Sequence, residues 1–193
     1  MKRLMASALA ALVFMAAPLA PAALAAELGE DGLHKQPWLA VTFKDMTEDL
    51  ETASAEGKRL AIIFEQRGCI YCTKMHEEVL SDPEVAAYIQ EHYVVVQMNL
   101  FGDEEVTDFD GTALPEKEMA KRWNVVYTPT ILFMPDKVPE TGTARSAAVS
   151  EIPGAFGKYT TLDMFQWVAE KGYEGDEHFQ KYHARKFNAR KGK

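Results

Sequence analysis

The sequence is poor in cysteine and in positive charge. Its 193 residues include only two cysteines, Cys69 and Cys72, which are separated by two residues. A disulfide scaffold normally uses more cysteines at wider spacings, so a structural framework of disulfides is excluded. Lys and Arg number 21 against 29 Asp and Glu, a formal net charge of −8. Such an acidic chain argues against nucleic acid or anionic lipid as a partner.

Long apolar runs are also lacking, apart from one short stretch at the amino terminus. There a basic start precedes the apolar run Leu4–Ala17, and prolines then interrupt the chain before small residues lead to Ala25. A membrane-spanning helix needs about 20 apolar residues, so an uncleaved anchor is the weaker interpretation. The layout is typical of a secretory signal peptide. We expect residues 1–25 to be cleaved and the protein to be exported.

The remaining chain is interpreted as a lead-in, one domain and a tail. Residues 26–37 show little periodicity, whereas residues 38–175 alternate apolar strand patterns with helical patterns. This alternation predicts an α/β domain with a central sheet flanked by helices. Residues 176–193 predict an extra helix with a basic end, either solvated or docked on a partner.

Apolar runs of strand length predict the sheet. Buried strands are expected at Arg59–Phe64, Val94–Leu100 and Thr130–Met134, with a further strand ending at Pro153. The short link between the last two suggests an antiparallel hairpin on an otherwise parallel sheet. Helices are expected in the segments DMTEDLETASAEG, CTKMHEEVL, PEVAAYIQEHY, PEKEMAKRWN and TTLDMFQWVAEKGY. The third of these is predicted to begin with Asp82 as N-cap and Pro83 in its first turn.

The two cysteines directly follow a predicted strand and open a helix. Unpaired N–H groups and the positive partial charge at a helix start stabilise a thiolate, which lowers its pKa below the free value of about 8.5. Cys69 is therefore the predicted nucleophile. Cys72 lies one turn further on, where it can attack a disulfide formed on Cys69. A dithiol carries two electrons itself, so no cofactor is expected.

Other uses of the pair fit less well. A c-type haem site needs histidine at the position of Thr73. Zinc could use both cysteines and His76, but a structural site needs a fourth ligand and there is no second cysteine pair. We therefore expect no metal, and interpret His76 as a helix-surface or packing residue. An inert disulfide within one turn would close a very small loop and stabilise little.

A proline stands just before a predicted strand, in YTPT. Because proline lacks an N–H, it fits a strand entrance poorly unless a special turn is needed, and a cis bond provides such a turn. We therefore predict that the Thr128–Pro129 bond is cis. A strand, GCIYC opening a helix, YTPT before a strand and Gly154 after another together resemble the thioredoxin superfamily, over about residues 38–172.

That resemblance implies a thioredoxin fold with a mixed sheet. It implies that Cys69 is the nucleophile and Cys72 the resolving thiol. Thr128 and Pro129 would pack against the pair and line the groove where the partner's backbone docks. Two departures limit the transfer of rates and potentials: GCIYC replaces WCGPC, and Ile63 occupies the place of a buried aspartate that helps proton transfer. Glu65 is a candidate replacement base.

Three segments, FEQRGCIYCTKMHEEVLSDPEV, GDEEVTDFDG and FQKYHARK, are similar to periplasmic SoxW-type thioredoxins of sulfur-oxidation clusters, and the helix after the motif resembles that of DsbC-type proteins. The resemblance implies a periplasmic, monomeric protein-disulfide reductase. It would keep exported thiols reduced with electrons from a CcdA- or DsbD-type membrane transporter. Two other functions remain open. The protein could be a disulfide oxidase or isomerase, because the direction of electron transfer depends on the reduction potential. It could also be a non-catalytic thioredoxin-like binding module.

Overall fold

The computed structural model describes residues 27–192 of the chain. The signal peptide predicted at residues 1–25 lies outside the described residues. Within residues 27–192, no helix combines the length and apolar character needed to cross a membrane.

The strands are β1 (Glu27–Leu28), β2 (His34–Lys35), β3 (Leu39–Ala40), β4 (Arg59–Glu65), β5 (Tyr93–Asn99), β6 (Glu105–Thr107), β7 (Ala113–Pro115), β8 (Thr130–Phe133) and β9 (Ser150–Pro153). Strand β4 is the centre of the fold, and all of its residues are buried. It belongs to a five-stranded sheet of order β3-β5-β4-β8-β9, in which β3, β5 and β4 are parallel and the closing pair β8 and β9 is antiparallel. The predicted antiparallel hairpin on an otherwise parallel sheet is therefore confirmed.

Helices cover both faces of this sheet. The α-helices are α1 (Met46–Ala55), α2 (Ile70–Met75), α3 (Pro83–His92), α4 (Glu116–Arg122), α5 (Ala144–Ala147), α6 (Lys158–Ala169) and α7 (Phe179–Lys191). A π-helical turn, His76–Leu80, continues α2, and a 3-10 turn, Gly172–Glu174, follows α6. Alternate residues of β4 point to opposite faces, so Ile63 packs in one core with α3 and α6, while Ile62 packs in another with α1 and α4.

Polar caps determine where the first helices begin. The Asp45 carboxylate accepts hydrogen bonds from the backbone N–H groups of Thr47 and Glu48 at the start of α1. Asp82 does the same for α3, with Pro83 in the first turn. These side chains satisfy N–H groups that have no partner within a helix. The predicted cap and proline of α3 are confirmed.

The structure also contains elements that the patterns did not predict. The lead-in forms a hairpin of β1 and β2, and the acidic segment between β5 and α4 forms a second hairpin of β6 and β7. Strands of two or three residues are too short to show a repeating apolar pattern, so they escape this kind of prediction. The predicted extra helix is present as α7, and Tyr182 of that helix is buried in the core shared with α6.

Candidate redox site

The cysteine pair lies where β4 gives way to α2. The chain leaves β4 at Glu65 and turns through Gly68, whose φ of 72° is a left-handed conformation that favours glycine. Cys69 is the N-cap of α2, and its Sγ accepts a hydrogen bond from the N–H of Cys72 at 3.0 Å. The two residues form a disulfide. The expected placement of the pair at a helix start is confirmed.

The two sulfur-bearing residues differ in accessibility. Cys69 is 6% exposed and Cys72 is completely buried. The two residues between them are open to solvent, with Ile70 73% and Tyr71 60% exposed. An incoming sulfur can therefore reach Cys69 more readily than Cys72.

The loop before β8 supplies the other side of the site. The Thr128–Pro129 peptide bond is cis, as the sequence predicted. The Thr128 hydroxyl donates a hydrogen bond to Cys69 Sγ at 3.3 Å, and the Thr128 carbonyl oxygen lies 3.6 Å from the same sulfur. The carbonyl of Pro129 accepts a hydrogen bond from the N–H of Gly154 at 2.8 Å, which fixes this loop to the end of β9. The structure thus brings Thr128 to the cysteine pair, with Pro129 next to it in the chain.

Exposed apolar side chains flank these elements. They belong to the residues between the cysteines, to those before Thr128 and to the segment after Gly154: Ile70, Tyr71, Val126, Tyr127 and Phe156. Exposed apolar side chains beside a cysteine pair are candidate contacts for another molecule.

Glu65 is completely buried at the end of β4, on the same face of the strand as Ile63. One carboxylate oxygen pairs with His76 Nε2 in a short contact, and the other lies 3.4 Å from His34 Nδ1. Burial alone raises the pKa of Glu65, but the hydrogen bonds and charges of the two histidines outweigh burial and lower it to about 2.

This low pKa bears on the candidate base. A carboxylate with a pKa of about 2 accepts protons poorly near neutral pH. Glu65 is thus an anion that accepts hydrogen bonds, and it is poorly suited to the role of proton carrier suggested by the sequence. His76 is also completely buried, so its interpretation as a surface residue is wrong and the packing alternative holds.

The sequence patterns did not identify two buried residues near the site, His34 and Gln36. His34 and Gln36 lie in the lead-in, yet both are buried and contact residues 31 to 45 positions further along the chain. The Arg67 side chain donates to the backbone carbonyls of Glu30 and Asp31 and so ties the same segment to the loop before Cys69. Contacts between such distant positions leave no periodic signal in the sequence.

A cysteine pair at a helix start, next to a cis-proline loop on this mixed sheet, defines a protein of the thioredoxin fold. The family model of the thioredoxin-like domain matches residues 46–148, more than half of the chain. The chain belongs to the thioredoxin-like family.

Solved structures of the same fold include two clear neighbours. A thioredoxin-fold protein from Helicobacter pylori is 18% identical with a TM-score of 0.60, covering 78% of this chain and 93% of that one. A thioredoxin from Thermus thermophilus is 26% identical with a TM-score of 0.51, covering 66% of this chain and 86% of that one. No curated protein matches the chain.

Proposed function

We propose that this protein is a periplasmic thiol-disulfide oxidoreductase that reduces disulfides of exported proteins and so keeps their thiols reduced. The observation that carries the proposal is the Cys69–Cys72 disulfide at the start of α2, with the Thr128 hydroxyl and carbonyl directed at the outer sulfur. Family membership supports it, because the match includes both cysteines and the Thr128–Pro129 loop.

The reaction follows from the two positions of the sulfurs. In the reduced protein the Cys69 thiolate attacks a disulfide of the partner, and one partner sulfur leaves as a thiolate. The Cys72 thiol then loses its proton and attacks Cys69 Sγ, which breaks the mixed disulfide and releases the second partner sulfur. Two electrons pass to the partner, and the protein is left with the Cys69–Cys72 disulfide seen in the structure.

Donors around Cys69 favour it as the attacking sulfur. The Cys72 N–H and the Thr128 hydroxyl both point at its Sγ, at 3.0 and 3.3 Å. Hydrogen bonds to an ionised sulfur stabilise the thiolate over the thiol, and the helix start adds to this effect. The resolving sulfur is buried, so an external disulfide does not compete for it.

The partners are proposed from the exposed apolar groups and the sequence resemblance. The apolar residues around the pair would contact the backbone and side chains of an exported thiol protein. The resemblance to SoxW-type thioredoxins points to a carrier protein of sulfur oxidation as client and to a CcdA- or DsbD-type membrane transporter as electron donor. We propose a monomer that needs no cofactor, because the dithiol holds the electrons.

The experiment is catalysed reduction of insulin by dithiothreitol, with equilibration against glutathione or dithiothreitol to give the reduction potential. We expect turnover that Cys69→Ser abolishes, and a potential in the reducing half of the range of about −270 to −120 mV that this fold spans. A potential near about −120 mV with active exchange would favour the oxidase reading. Absence of catalysis by the correctly folded protein would favour the binding module.

A further inference from the structure

Three side chains of metal-binding type meet next to the cysteine helix. His34 comes from β2, Glu65 from the end of β4 and His76 from the first residue of the π-helical turn. We call them the His–Glu–His cluster. One ligand atom from each lies within 4.8 Å of the others, and the side chains are 7%, 0% and 0% exposed, respectively. Three separate elements therefore converge on one small interior volume.

We propose that the His–Glu–His cluster binds a divalent transition-metal ion of the Zn²⁺ type. Two imidazoles and one carboxylate are a known three-ligand set for zinc, with a fourth position left for water or another ligand. The two nitrogen donors favour transition metals over Ca²⁺ and Mg²⁺, which prefer oxygen ligands throughout.

Neighbouring side chains hold the histidines in place. The Gln36 side-chain amide lies 3.3 Å from His76 Nδ1 and donates a hydrogen bond to the Ser81 hydroxyl at 2.9 Å. Because this amide nitrogen donates, Nδ1 is an acceptor and the proton of the ring lies on Nε2, which faces Glu65. A half-turn of the amide would bring its oxygen to a protonated Nδ1, the kind of partner that orients a histidine bound to metal through Nε2. The Gln97 side chain donates to the backbone carbonyl of His34 at 2.7 Å and so holds the strand that carries this residue.

The position of the carboxylate suits a cation. Glu65 has no solvent exposure, and a carboxylate in the interior needs nearby positive charge or several hydrogen bonds. The two histidine rings stack on each other, with centroids 4.8 Å apart and planes 15° apart. Without a metal, imidazole N–H groups supply the hydrogen bonds to Glu65. A bound ion would replace these N–H contacts with nitrogen and oxygen ligand bonds.

The experiment is calorimetric titration of the untagged, oxidised protein with ZnCl₂. Oxidation keeps Cys69 and Cys72 in their disulfide, which excludes the thiols as ligands. We expect one Zn²⁺ per chain and a rise in Tm at saturating metal. Glu65→Gln and His76→Gln should each weaken binding at least about 100-fold, and Gln36→Ala about 10- to 100-fold. The control His92→Gln changes a partly exposed histidine of α3 outside the cluster and should leave affinity unchanged.

Cobalt gives a second readout on the same oxidised protein. Co²⁺ bound by nitrogen and oxygen ligands should show visible d–d bands without a thiolate charge-transfer band, and His34→Gln should remove them. If Glu65→Gln does not fold, His34→Gln and Gln36→Ala still decide the question. The proposal is overturned if the oxidised protein does not bind Zn²⁺ or Co²⁺, or if binding survives His76→Gln unchanged. A purely hydrogen-bonded cluster would then be the result, and the redox function would be unaffected.

Discussion

At the residue scale, the chemistry depends on what surrounds the sulfur of Cys69. Its Sγ accepts a hydrogen bond from the Cys72 N–H, and the Thr128 hydroxyl donates a second from another part of the chain. Both contacts favour negative charge on this sulfur once the disulfide is reduced. Cys72 lies in the interior and lacks comparable access. The asymmetry between the two cysteines is thus a local property of the helix start.

This asymmetry predicts selective alkylation. In the reduced protein, iodoacetamide should modify Cys69 first, and its rate should remain high below the free thiol pKa of about 8.5 because the helix start stabilises the thiolate. Peptide mapping after timed alkylation from pH 5 to pH 9 measures this. Equal rates for both cysteines, with the pH profile of a free thiol, would contradict the argument.

Thr128 provides a direct test of the second donor. Thr128→Val removes the hydroxyl that points at Cys69 Sγ and keeps the side-chain size. We expect the alkylation rate of Cys69 at pH 6 to fall about 3- to 10-fold, the effect of losing one hydrogen bond of about 1 kcal/mol. The control Thr52→Val alters an exposed threonine of α1 and should leave the rate unchanged. No difference between the two variants would remove the hydroxyl from the mechanism.

The redox residues were predictable because their signal is local. Cys69 and Cys72 are recognisable from their spacing at a strand-to-helix junction, and Pro129 from its place before a strand. His34 and Gln36 were not predictable, because they are buried through partners 31 to 45 positions away. Burial of an irregular segment depends on tertiary packing, which a periodic pattern does not encode.

At the element scale, helix α7 is held to α6 by charge as well as by apolar contact. Asp163 of α6 is completely buried, and it accepts hydrogen bonds from the Arg190 guanidinium at 2.9 Å and pairs with His183 at 2.6 Å. A buried carboxylate that loses a partner is costly, because its charge stays in the interior. The basic end predicted from the sequence thus contains residues that neutralise an acid within the fold.

This pairing predicts a difference between two arginines of α7. Arg190→Ala should lower the free energy of unfolding by about 2 kcal/mol, the cost of losing hydrogen bonds to a charged group. Arg185 pairs with Glu177 at the surface, where solvent screens the charges, so Arg185→Ala should leave the free energy of unfolding nearly unchanged. Urea unfolding of both variants measures the difference. Equal losses would show that the Asp163 pairing does not stabilise the helix.

Helix α1 carries another buried acid, Asp49, and burial raises the pKa of its carboxyl group. Burial raises the pKa of Asp49 from 3.8 to about 6, even though a hydrogen bond from Thr42 works in the other direction. The folded state therefore binds the proton more tightly than the unfolded state. The resulting stability is present below about pH 4 and is lost as the pH rises towards about 6.

Replacing this acid should stabilise the protein at neutral pH. Asp49→Asn should raise the free energy of unfolding at pH 7 by about 1 kcal/mol, and should flatten its change between pH 4 and pH 6. Urea unfolding across that range is the measurement, with Glu51→Gln on the exposed face of α1 as control. A variant that is less stable at pH 7 and unchanged in pH profile would contradict the prediction.

At the scale of the whole molecule, the long strands and helices were predictable and the short elements were not. The order of the main strands and helices was predicted correctly from the apolar runs of β4, β5 and β8 and from the capped start of α3. The edge strand β3 depends on pairing with the distant β5, and the two small hairpins have strands of only two or three residues, too short for a repeating apolar pattern. One of these short elements reaches the site, since β2 brings His34 to Glu65.

The central claim concerns exchange between this protein and a partner, with Cys69 attacking and Cys72 resolving. Cys72→Ser leaves the first step intact and blocks the second, so mixed disulfides with partners should accumulate in the exported fraction. Cys69→Ser should trap none, because Cys72 is buried.

The most direct measurement is therefore non-reducing electrophoresis and mass spectrometry of species trapped by the two single variants in the same host. We predict reducible adducts through Cys69 in Cys72→Ser only, with sulfur-carrier proteins and a membrane thiol transporter among them. Failure of both variants to trap any protein, while a Cys-to-Ser thioredoxin succeeds under the same conditions, would contradict the account.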